Sequence, residues 1–118
     1  MGKQLSAHFN SDEFKCHDGT EHEIDSMLIS ILEAGRSIIG KPIHINSGYR
    51  SPAYNKKCGG APKSQHMLGT AADITVAGMT PKQVKAVFER LMPDMGGIGL
   101  YKTFTHVDVR RKKTRWTL

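Results

Sequence analysis

The chain has 118 residues, a formal net charge of +6 and 38% hydrophobic residues, which is enough for one core in one domain (residues 1–118) and too little for two. That composition excludes a low-complexity chain, and the lack of a long apolar run excludes a membrane-spanning helix. Arg110, Arg111, Lys112, Lys113 and Arg115 crowd the last residues, a pattern that fits either contact with a polyanionic surface or a solvated basic tail.

In chain order, Met1-Gly2-Lys3-Gln4-Leu5-Ser6 lacks the apolar core of an export signal, so the product is expected to be cytoplasmic when made. A loose N-myristoylation pattern in the same residues has no supporting context. Residues 24–39 carry Ile24, Met27, Leu28, Ile31, Leu32, Ile38 and Ile39 at helical spacing, interrupted by Gly35 and stopped by Gly40. Ile43 to Ser47 alternates as a strand. Residues 48–65 are rich in Gly, Pro, Ser, Asn and Lys, and read as a long ordered loop of the kind that usually carries function.

Gly69 to Val76 predicts a buried strand. Thr80-Pro81 then supplies an N-cap and first-turn proline for a helix whose apolar face is Val84, Val87, Phe88, Leu91 and Met92, and Pro93 ends it. Residues 96–101 and 103–110 predict two adjacent strands. The succession implies an α+β domain with a small, mainly antiparallel sheet. On the last strand, a period of two puts Phe104, His106, Asp108 and Arg110 on one face and Thr105, Val107 and Val109 on the other. The cysteines Cys16 and Cys58 lack the spacing of a zinc ribbon or redox pair and are expected as free thiols, a single disulfide being the alternative.

His66 and Asp73 flank a small-residue stretch, with His106 far downstream. Two imidazoles and a carboxylate are a ligand set for Zn²⁺ that leaves a fourth position for water, the layout of a hydrolase. A carboxylate inside Thr70-Ala71-Ala72-Asp73-Ile74-Thr75-Val76 is costly unless metal-bound or paired; a buried salt bridge is the competing explanation. His8, His17, His22 and His44 read as surface or packed histidines.

Ser47-Gly48-Tyr49-Arg50-Ser51-Pro52-Ala53-Tyr54-Asn55, the Ser64-Gln65-His66-x-x-Gly69-x-Ala71-x-Asp73 box, Gly97-Ile98-Gly99-x-Tyr101 and His106-Val107-Asp108-Val109-Arg110 resemble the zinc D-Ala-D-Ala carboxypeptidase family. The likeness is to its short phage and bacterial peptidoglycan-peptidase branch, with the hedgehog/DD-peptidase fold. Phe9 to Phe14 and Arg115-Trp116 resemble that branch too. The resemblance implies that His66, Asp73 and His106 hold Zn²⁺ and that Arg50 contacts substrate and steadies an oxyanion. Ser64 and Tyr49 are candidate substrate contacts. Many members place Glu three residues before the second histidine; here that residue is Thr103. Asp108, roughly 6.6 Å along the strand from His106, is the candidate general base, or else a carboxylate that orients His106.

The implied substrate is a peptidoglycan stem peptide, cut at D-Ala-D-Ala or at an internal bond such as L-Ala-D-Glu. The basic C-terminal stretch is then a contact for an anionic cell wall. No signal peptide and a compact wall hydrolase together suggest a phage-type endolysin, a virion component or a prophage product, working as a monomer. A non-catalytic, zinc-stabilised binding module is the alternative. A nucleic-acid binder is disfavoured, because basic and aromatic residues do not interleave and no helix-turn-helix or zinc-finger spacing occurs.

Overall fold

The computed structural model describes residues 2–118. Helix α1 (Ser26–Ile39) is capped by Asp25, whose side chain accepts from the Met27 and Leu28 amides. Its gap in the apolar stripe has a cause: a Cβ on Gly35 would stand 2.5 Å from the Phe88 ring. Strand β1 (His44–Ser47) follows. Helix α3 (Pro81–Leu91) begins in a capping box between Thr80 and Gln83. Strands β2 (Ala71–Thr75), β3 (Gly97–Leu100) and β4 (Thr105–Asp108) complete the elements expected from the sequence.

Two segments differ from expectation. The stretch 48–65 is not a plain loop: it contains the short helix α2 (Pro52–Lys57) and is followed by a 3-10 turn, Gln65–Leu68. Ser51 caps α2 by accepting from the Tyr54 amide, with Pro52 in the first turn, a start signal hidden among loop-forming residues. The C-terminal residues are not a solvated tail. Thr114–Thr117 forms a fifth strand, β5, parallel to β3. Arg115 is drawn in with it, donating to Glu89 Oε1 at 2.6 Å and to the Gly96 and Met92 carbonyls. Arg111, Lys112 and Lys113 stay exposed.

The sheet order is β1-β2-β4-β3-β5, antiparallel except at β3–β5, so the α+β, mainly antiparallel expectation holds. Alternation divides its faces. Ala72, Ile74, Ile98 and Val107 join Leu28, Leu32, Val84 and Phe88 in the core. The opposite face carries Asp73 and His106, directly paired across β2 and β4. The core thus anchors, residue for residue, the strands that present the polar face. No described helix is long and apolar enough to cross a membrane.

Candidate metal centre

His66 reaches the polar face from the 3-10 turn that precedes β2. Ser64 holds that turn by accepting from the His66 amide. His66, Asp73 and His106 converge, each offering a ligand atom within 4.8 Å of the others, and all three are buried. Asp73 Oδ1 is the focus: His66 Nε2 lies 3.2 Å from it and His106 Nδ1 lies 3.0 Å from it.

The outer nitrogens fix how those imidazoles present themselves. His66 Nδ1 is 2.7 Å from the Gly48 carbonyl oxygen, which only accepts, so Nδ1 carries a proton. His106 Nε2 is 2.7 Å from Asp108 Oδ2. Burial by itself would raise the Asp108 carboxyl, but hydrogen bonds from His106 and Arg110 outweigh it and hold the group well below the usual carboxylate range. Ionised Asp108 therefore accepts from His106 Nε2–H. Each neutral imidazole then aims its remaining lone pair at an Asp73 oxygen, itself an acceptor. Three acceptors facing one another repel unless a cation lies among them. A divalent ion with affinity for nitrogen and oxygen fits that requirement.

Without such an ion, a proton on His106 meets the Asp73 carboxylate. Burial opposes ionisation of Asp73, yet bonding to His106 and His66 prevails and depresses its pKa. His106 responds oppositely: burial would lower its pKa, and the bonds to Asp108 and Asp73 raise it.

A cavity of about 450 Å³ opens onto the trio. Arg50, Lys63, Ser64 and Gln65 form one side, and Tyr101, Phe104 and Trp116 another. Arg50 Nη2 donates to Asp73 Oδ2 at 3.3 Å while its Nε donates to Ser47 Oγ, leaving the guanidinium at the cavity wall. Among the described lining residues, Asp73 carries the sole side-chain carboxylate.

Residues 7–108 match the sequence profile of the family described as Peptidase M15. The chain belongs to the peptidase M15 family. A zinc D-Ala-D-Ala carboxypeptidase from Streptomyces albus G is 50% identical to it over 44 residues. That stretch covers 36% of this chain and 17% of the relative, so the chain spans under a fifth of that protein's length.

Against this M15 framework, the sequence-derived residues fall in different places. His66, Asp73, His106, Arg50 and Ser64 meet at one cavity. Tyr49 does not line it: its backbone amide is tied to the Phe14 carbonyl and its ring stacks on His22 at 4.6 Å, leaving it 7% exposed. In this structure Tyr49 packs against His22 and lies outside the lining of that cavity. Asp108 is fully buried and outside the cavity lining. Its two oxygens receive the Gly97 amide, the Arg110 amide, two guanidinium nitrogens and His106. Five donors saturate a carboxylate with about four lone-pair sites, an arrangement that matches the second of the two roles expected for Asp108, a carboxylate that orients His106. Thr103 is exposed in the β3–β4 turn.

Sequence reasoning missed the Gly48 carbonyl, Gly97 and the Tyr101–Trp116 wall. A signal for part of this existed in Gly97-Ile98-Gly99: two side-chain-free positions on the His106 face. A Cβ on Gly97 would lie 2.3 Å from Asp108 Oδ2. The cysteines are free, Cys16 buried and Cys58 exposed; His8, His17, His22 and His44 are exposed.

Proposed function

We propose that this M15 chain is a zinc peptidase acting on peptidoglycan stem peptides, with D-Ala-D-Ala the first bond to assay and L-Ala-D-Glu the second. One observation carries the reading: two imidazoles, each with its outer nitrogen committed, direct lone pairs at one buried carboxylate. His66, Asp73 and His106 would hold the ion. When bound, zinc supplies a Lewis acid that acidifies water and polarises a carbonyl.

The chain's own residues supply the rest. Arg50 stands beside Asp73 with its guanidinium at the cavity, placed to bind a peptide oxygen as negative charge develops on it. Asp108 and the Gly48 carbonyl hold the imidazole tautomers, so Asp108 is a positioning residue rather than a proton acceptor. Ser64 fixes the His66 backbone and lies at the cavity wall. The cell-wall lysis setting, of phage or prophage type, rests on the sequence resemblance alone.

The test is zinc content, together with mass-spectrometric identification of new termini after incubation with peptidoglycan. Wild type should take up one equivalent and cleave. His66→Ala should do neither; equal cleavage by the two would end the catalytic reading. A second reading is favoured by the lack of a second side-chain carboxylate among the described cavity-lining residues: a zinc-stabilised module that binds cell wall without cutting it. Zinc uptake and wall binding with no new termini would select it.

A further inference from the structure

The last strand lies beyond residues 7–108, the part of the chain matched by the family profile, yet it delivers a ring to the metal trio. Trp116 on β5 pairs with Gly99 on β3, and Gly99 pairs with His106 on β4. Three adjacent positions across the sheet therefore share one face, and the middle one has no side chain. A Cβ on Gly99 would stand 2.4 Å from indole Cε2; its absence lets the indole lie over the strand and reach the imidazole. The two ring centroids are 5.0 Å apart, tilted by 48°.

The indole is itself held from two directions. Its Nε1–H donates to Tyr101 Oη at 3.1 Å, and the Arg110 guanidinium carbon sits 5.4 Å from its centroid. That same guanidinium grips Asp108, which accepts from His106. The contacts close a circuit: His106 to Asp108, Asp108 to Arg110, Arg110 to Trp116, Trp116 back to His106. The hydrogen bond from Nε2 to Asp108 locates the imidazole but tolerates tilt. Packing on the ring must set the tilt, and the rings against it are Trp116 and His66.

We infer that Trp116, seated over Gly99 and clamped by Arg110, is a positioning residue that fixes the plane of His106 as a metal ligand. The inference rests on the metal-site reading above. A ligand must be held to roughly 0.5 Å and 10–20° for tight binding. Without the indole, the imidazole would gain a void on the cavity side and lose its fixed plane.

Trp116 is the sole tryptophan, so intrinsic fluorescence reports the site directly and should change on zinc titration of the wild type. Zinc affinity is then measured by competition with a chromophoric chelator, beside thermal unfolding of each zinc-free variant. Trp116→Ala should lose about 10-fold or more in affinity, the range found for residues that support ligands, and Trp116→Phe should recover part of it. Gly99→Ala keeps the indole but denies its seat, and should weaken zinc as well. Val84→Ala, a core truncation on α3, should lower stability while leaving affinity unchanged, which separates positioning from general loosening. Trp116→Ala within twofold of wild type would overturn the inference.

The metal reading fails separately, if wild type takes no zinc. The inference is then decided by NMR of the metal-free protein: His106 ring resonances should be sharp in wild type and exchange-broadened in Trp116→Ala. Identical line widths would overturn it.

Discussion

Arg110 grips Asp108 with two parallel hydrogen bonds, Nε to Oδ1 at 2.9 Å and Nη2 to Oδ2 at 2.7 Å. The buried carboxylate is thereby charge-compensated, and the guanidinium fixes its geometry beside the hydrogen bond from His106. Asp108→Asn keeps the shape but offers one acceptor oxygen where several donors converge. We expect zinc affinity to fall about 10- to 100-fold and stability to drop by about 3 kcal/mol or more, by chelator competition and urea unfolding. Full zinc binding with turnover alone abolished would restore Asp108 as the proton acceptor.

The shifted groups set a pH dependence. His106 is raised, so its bound proton stabilises the fold; that contribution is complete below the ordinary value of about 6.5 and lost as pH rises through the higher folded value. The zinc-free protein should therefore melt at progressively lower temperature on the alkaline side of about pH 6.5. Zinc competes with that proton, so its stabilisation should grow over the same interval. Asp73 and Asp108 are depressed and stabilise above the usual carboxylate pKa of about 3.9, a contribution lost as acid drives pH down through their folded values. Thermal unfolding across pH, with EDTA and with excess zinc, checks all three signs; a flat EDTA profile above neutrality would contradict the first.

Arg115 ties β5 to the end of α3 through Glu89 and the Met92 and Gly96 carbonyls. Arg115→Ala strands those acceptors and should cost about 1–3 kcal/mol in urea unfolding. Arg115→Lys should rescue little, since one ammonium cannot reproduce a planar fork.

Arg111, Lys112 and Lys113 occupy the exposed turn between β4 and β5. If they hold the protein on an anionic wall, cosedimentation with cell-wall sacs should fade between about 0.05 and 0.5 M salt, as the screening length contracts. Replacing all three with Gln should weaken binding at low salt and spare cleavage of a soluble stem peptide. Unaltered cosedimentation would place the wall contact elsewhere.

The trio was legible because motif and period agree. The His66–Asp73 box places two candidate ligands around the start of one strand, and alternation on β4 puts His106, Asp108 and Arg110 on a common face. What spacing could not give was depth: it set Asp108 beside His106 without revealing the Gly97 amide and Arg110 fork that close it off. Helix α2 was masked by the composition of residues 48–65, although Ser51-Pro52 announced it. Strand β5 was illegible for another reason. Thr114–Thr117 follows a run of cations, and its parallel partner β3 lies on the far side of β4 in sequence, so no local pattern records the pairing. Trp116 went unplaced with it.

The parallel course of β5 brings Leu118 to the cavity mouth: its amide bonds to the Leu100 carbonyl, and the residue lines the cavity. A purification handle or fluorescent fusion joined at this residue would emerge beside Trp116 and crowd the cavity. A histidine tag joined there would add rival imidazoles within reach of the His66, Asp73 and His106 trio.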